Sequence, residues 1–188
     1  VEGRTSNRPL GIFCAEGDWS SLLTERASVR ELLQLLEGVA GIPFIHHHVD
    51  SPEGLFDLLG QWSQRRYARY SLGYFAFHGQ PGHLQVGRSL VSLEELGHAL
   101  EGALTGKVAY FGSCSVLQVP AEELDAFCSI TGSPCVVGFT RDVDWVASAA
   151  LDLLLLQAIA VRKDPDEARR WIEEEFGDLG VHLGLRVY

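Results

Sequence analysis

Methionine is absent from this 188-residue chain, and lysine occurs only at Lys107 and Lys163, against thirteen arginines. The first absence leads us to expect a trimmed or replaced native start; the second is a bias expected of a GC-rich bacterial genome. Basic charge is scarce throughout, with 15 Lys and Arg against 25 Asp and Glu, a net charge of −10. A nucleic-acid-binding surface shows as a basic excess or stripe, so that class is set aside. The balance is compatible with a basic peptide as partner.

Cysteine is also sparse. Cys14, Cys114, Cys128 and Cys135 are irregularly spaced and include no CxxC pair, which argues against a disulfide-stapled secreted scaffold and a structural zinc site. Reduced thiols and a cytoplasmic location are expected. Val1 to Arg8 is polar and expected to be flexible, without the apolar stretch of a signal peptide. Val143 to Val161 is long and apolar enough to raise the question of a membrane span, but it carries Asp144, Asp152 and Gln157. An aspartate at the centre of a spanning helix costs about 3 kcal/mol, so a buried core helix is expected instead.

With 46% apolar and 21% charged residues the composition is that of a globular protein, and the length suits one domain spanning the chain. Apolar strands alternate with helices. The pattern predicts strands over Leu10–Ala15, Pro43–Val49, Ser71–Phe77, Lys107–Phe111 and Cys135–Phe139, a short one at Leu84–Val86, and an edge strand over Val181–Tyr188. Helices are predicted over Ser28–Val39, with Ser28 as N-cap and Gly41 as stop. Others are expected from Pro52 to about Tyr67, Ser92 to about Leu104, Pro120–Ile130, up to Val161, and over Asp164–Phe176. Such alternation predicts an α/β fold: a three-layer α/β/α sandwich around a mostly parallel sheet.

In open parallel sheets, functional groups gather at the carboxyl ends of the strands. His78 directly follows Tyr74-Phe75-Ala76-Phe77, and Cys114 follows Val108-Ala109-Tyr110-Phe111 after a two-residue gap. A thiolate nucleophile served by an imidazole is the chemistry this pair suits. Gly79 lets a backbone N–H approach substrate, and with the N–H of Cys114 it would form an oxyanion site. No cofactor is needed.

An apolar strand ending in His-Gly, followed by one ending in a small residue and Cys, resembles the caspase-like cysteine peptidases. That group includes caspases, metacaspases, separases, gingipains and bacterial CHAT domains. Leu84-Gln85-Val86, then Ser92-Leu93-Glu94-Glu95-Leu96, then the cysteine strand looks most like a CHAT domain; the helix between the first two strands looks closer to caspases. The resemblance implies a caspase-like fold and peptide-bond hydrolysis by a His78–Cys114 dyad, on a protein or peptide substrate, released by a regulatory partner. Gly112-Ser113 departs from the usual Ala or Asp-Ser, and the caspase motif Gln-Ala-Cys is missing, so specificity for aspartate is not carried over.

Specificity candidates are Asp142 and Asp144 after the fifth long strand and Glu16 and Asp18 after the first. An acidic pocket there would favour Arg or Lys before the cut. A rival reading is a catalytically inactive caspase-like module used for interaction; a flavodoxin-type binding domain would need phosphate-binding turns, which are not found. His46-His47-His48 places two imidazoles on one face and one on the other, with no third ligand at recognisable spacing, so no metal is expected. His83, the other candidate base, does not end a strand.

Overall fold

Parallel strands leave their apolar side chains on both faces and so need helices on both. The computed structural model shows that arrangement, describing residues 8–20, 22, 24 and 26–188. The expected flexible segment Val1–Arg8 lies, apart from Arg8, outside the described residues. The chain runs β1 (Ile12–Glu16), α1 (Arg30–Ala40), β2 (Phe44–His48), α2 (Pro52–Trp62) and, after a 3-10 turn at Arg65–Tyr67, β3 (Leu72–Ala76). Three short strands follow, β4 (His78–Gln80), β5 (His83–Val86) and β6 (Ser89–Ser92), then α3 (Leu93–Ala99) and β7 (Val108–Phe111). The remainder is α4 (Ala121–Thr131), β8 (Cys135–Phe139), α5 (Trp145–Arg162), α6 (Pro165–Phe176), α7 (Leu179–Leu183) and β9 (Leu185–Val187).

Six strands form one sheet in the order β2-β1-β3-β7-β8-β9, parallel throughout except where β9 joins β8 antiparallel. The period-two alternation of strands sends Leu72, Tyr74 and Ala76 into one apolar layer with α1, α5, α6 and α7. Phe75 and Phe77 enter the other, with α2, α3 and α4. The result is an α/β/α sandwich of three layers. β4, β5 and β6 form a separate antiparallel sheet between β3 and α3.

Several boundaries shift for visible reasons. Helix α1 begins at Arg30, one residue later than a Ser28 cap would place it; the Ser28 hydroxyl donates to Glu16 (2.7 Å) and accepts the Arg30 N–H (3.1 Å). Gly41 ends it in the left-handed region, φ 63°, as expected. Helix α3 stops at Ala99; Gly102 and Gly106, both at positive φ, turn the chain back toward β7. Ser92 caps α3 with a reciprocal Ser92–Glu95 capping box.

Helix α5 is long and apolar enough, by length and composition, to cross a membrane. Here Leu151, Leu155, Leu156, Ala158 and Ile159 are fully buried against the sheet. A core helix should respond to truncation on one face only. Leu155→Ala, fully buried, is expected to lower stability by about 2–5 kcal/mol. Val146→Ala, at a position 73% exposed, should stay within about 0.5 kcal/mol of wild type. Urea unfolding of the two variants checks this.

Candidate functional site

The connection from β1 runs outward to β2, and the chain then crosses back to lay β3 on the other side of β1. This reversal opens a crevice at the carboxyl ends of β1 and β3, where α/β sheets bind ligands. A cavity of about 170 Å³ lies at that edge. It is lined from four strand ends: Trp19 after β1, His78 after β3, Gly112 and Cys114 after β7, and Val143 after β8. Helix α5 closes it with Trp145, Ser148, Ala149 and Asp152, whose spacing puts all four on one helical face.

Backbone contacts hold the two expected catalytic residues in this cavity. A Cβ on Gly79 would run into the carbonyl of Cys114 and the side chains of Val116 and Ser113, so only glycine lets the start of β4 lie against the cysteine turn. Ser113 Oγ donates to the Phe75 carbonyl (3.1 Å) and accepts from the Phe77 N–H (3.2 Å), stitching the end of β3 to the same turn. Gly112 is equally constrained, since a Cβ there would meet the Tyr74 ring. The unusual Gly112-Ser113 pair therefore has a packing reason of its own. Ser115 follows in the left-handed region, φ 56°, a strained backbone for a non-glycine residue. Its N–H donates to the Arg141 carbonyl (3.0 Å) and its hydroxyl to Asp142 (2.5 Å).

His78 is exposed, and its Nε2 lies 2.9 Å from the backbone carbonyl of Trp19. A carbonyl only accepts, so Nε2 carries the proton and Nδ1 is the basic nitrogen of the neutral ring. Cys114 is half-buried; its Sγ receives the Val143 N–H at 3.5 Å and stands 3.9 Å from the Val143 carbonyl. His78 and Cys114 line one cavity, and the Trp19 carbonyl orients the imidazole; the sulfur's hydrogen-bond contacts are with the Val143 backbone, and none joins it to His78. The Trp19 carbonyl carries no side-chain signature, so sequence reasoning had no means of finding it. His83, by contrast, begins β5 and donates through Nδ1 to the Pro81 carbonyl (2.9 Å).

The other cysteines are differently placed. Cys14 and Cys135 are buried and Cys128 half-buried, all as free thiols. Burial pushes the Cys14 thiol well above the usual range, raises Cys135 to about 12, and raises Cys128.

None of the four expected specificity carboxylates lines the cavity beside Cys114. Glu16, 2% exposed, is saturated by Trp19 Nε1, Ser28 Oγ, the Val29 N–H and His46 Nε2, all within 2.8 Å. Asp144 caps α5 through the N–H groups of Val146 and Ala147 (both 3.0 Å), and Asp142 holds Ser115. Asp18 pairs with His48 (2.9 Å) and borders a larger open groove of about 1180 Å³ that also touches His78, Gly79, Gln80 and Arg88. In β2, His46 pairs with Glu16 at the end of β1 and His48 with Asp18 just beyond it, as separate pairs. Among the described residues no three His, Cys, Asp or Glu side chains converge as a metal site.

The acid inside the cavity is Asp152, a residue whose only expected significance was as an obstacle to membrane insertion. It is 4% exposed and accepts from the hydroxyls of Tyr74 (2.7 Å) and Tyr110. Burial raises its pKa to about 6, although the two phenols act in the opposite direction. The signal in the sequence was a lone carboxylate in the middle of an apolar helix, which is rarely placed without a partner or a task.

These two acids set opposite pH dependences. Burial alone would raise Glu16, but hydrogen bonds from His46, Trp19, Ser28 and Val29 hold it below 4.5. Its stabilisation is complete above 4.5 and lost as pH falls through the folded-state value. Glu16→Gln should therefore cost about 2–3 kcal/mol at pH 7, with the gap narrowing in acid. Asp152 lies above its ordinary 3.8, so it favours the folded state most below pH 3.8, and that preference is lost as pH rises through about 6. For Asp152→Asn, the melting temperature relative to wild type should climb between pH 4 and 6 and then level. Thermal unfolding across pH reads both; a flat difference would contradict the assigned environments.

A search of curated proteins finds no match. A comparison with protein families matches residues 10–188, nearly the whole chain, to a family of unknown function. The protein thus belongs to DUF6642, a family of unknown function.

Proposed function

We propose that this protein is a cysteine endopeptidase of caspase-like type, with Cys114 as nucleophile and His78 as acid–base catalyst. One observation carries the reading: both side chains line the same cavity at the crevice where the sheet reverses its winding. Cys114 is half-buried and shares that cavity's lining with His78. The raised pKa of Cys14, Cys128 and Cys135 makes them poor nucleophiles.

In the reaction, Nδ1 of His78 takes the thiol proton while Nε2–H stays bound to the Trp19 carbonyl. The thiolate adds to the peptide carbonyl, and the N–H groups of Gly79 and Cys114 are assigned to the oxyanion. Such donors are worth about 3 kcal/mol each. The imidazolium then protonates the departing amine, and water, deprotonated by the same imidazole, releases the acid from the thioester. The open groove along Gly79 and Gln80 gives an extended peptide room beside the cavity. Free thiols accord with a cytoplasmic site of action, and activation by a partner protein belongs to the same proposal.

A peptide bearing a thiol-reactive electrophile should label Cys114 ahead of the other three cysteines. His78→Ala should slow that labelling by about 100-fold, read by mass spectrometry of the digested adduct. Equal labelling of Cys114 and Cys128, insensitive to His78, would favour the inactive interaction module instead. Coexpression of wild type and Cys114→Ala with candidate substrates should yield a fragment with the wild type alone.

A further inference from the structure

Taking Cys114 as the nucleophile, we infer that Asp152 is the specificity-determining residue of the site and selects a cationic side chain, Arg or Lys, on the residue whose carbonyl is attacked. The location comes first. Asp152 and Cys114 line one cavity, so a side chain entering it belongs to a residue whose backbone lies near the sulfur. At about 170 Å³ the space is below the 300–1,000 Å³ usual for whole ligands, and it suits a single side chain.

Charge decides which side chain. The carboxylate of Asp152 is nearly sealed from solvent, and its partners are two neutral phenols that each donate one hydrogen bond. Among the described residues it forms no ion pair. A carboxylate offers about four lone-pair positions, so acceptor capacity remains. A buried charge without a counter-ion is costly, and a cation arriving in the cavity would offset that cost when it binds. An acidic side chain would instead set two carboxylates side by side, which disfavours ionisation of both.

The walls point the same way. Trp19 and Trp145 meet edge to face, ring centroids 4.3 Å apart, and Tyr74 and Phe77 add two more aromatic rings to the cavity lining. Aromatic faces around a carboxylate form a site for a guanidinium or ammonium group on an aliphatic stem. Ala149, on the same face of α5, leaves the space that a larger side chain would fill. The geometry also accounts for Gly112: the Tyr74 ring that holds Asp152 occupies the place of a Cβ at position 112.

The test compares peptides that differ only before the scissile bond, carrying arginine, its neutral counterpart citrulline, or aspartate. Wild type should show a kcat/KM for arginine roughly 10–100-fold above citrulline, the range expected of hydrogen bonds to a charged group, and the least activity on aspartate. Asp152→Asn should bring the arginine-to-citrulline ratio to within about threefold. A wild-type ratio near one, or a ratio that survives the substitution, overturns the assignment. Binding without turnover is read separately, by titrating the full chain with butylguanidine or butylurea and following tryptophan fluorescence. A saturable response to butylguanidine, absent with butylurea and weakened in Asp152→Asn, supports the cation pocket; equal responses in wild type overturn it. Guanidinium-selective binding with no cleavage of any peptide would sink the peptidase reading and leave the pocket, whereas cleavage indifferent to charge would do the reverse. Thermal unfolding of Asp152→Asn above pH 6 confirms that the variant is folded.

Discussion

A carboxylate buried at the end of β1 holds together the corner on which the site depends. Glu16 gathers donors from the Trp19 indole, the Ser28 hydroxyl, the Val29 N–H and the His46 imidazole. It thereby joins β1 to β2 and fixes both ends of the connection that leads to α1. Trp19 belongs to that connection, and its carbonyl meets His78. The orientation of an exposed imidazole thus rests on an acid that itself never reaches the cavity.

The second buried acid is tuned in the other direction. Glu16 has four donors, one of them an imidazole, and stays ionised more readily than a free side chain. Asp152 has two phenols, and burial prevails over them. Tyr74 and Tyr110 come from adjacent strands, and their rings stack 5.4 Å apart, so the clamp on Asp152 is built into the pairing of β3 with β7. Those two strands also deliver His78 and Cys114. The floor of the cavity and the rim that carries His78 and Cys114 share one support.

Much of this architecture is legible in the sequence because apolar strands and amphipathic helices carry strong periodic signals. The five long parallel strands and the placing of His78 and Cys114 at strand ends follow from such patterns. Shorter elements carry them less reliably: β4 and β6 escaped notice while β5 and the edge strand β9 did not, and α7 occupies the start of the segment where that edge strand was expected. The small sheet matters, since β4 begins at His78 and turns the chain across the cysteine at Gly79. Acidic residues near strand ends were taken for pocket residues, yet whether a carboxylate faces a cavity or caps a helix depends on contacts between distant segments. Asp152 meets Tyr74 and Tyr110 across separations of 78 and 42 residues, a relation no local pattern encodes.

The turn after Cys114 has a mechanical side. Ser115 is tied through its N–H and hydroxyl to Arg141 and Asp142, while the sulfur of Cys114 touches the backbone of Val143. Two loops from neighbouring strands are thereby bolted into a single rigid piece, and the next residues along it lead into Trp145, a wall of the cavity. The indole wall and the Cys114 sulfur therefore hang from one stretch of backbone, and the shape of the cavity and the setting of its thiol share a single anchor.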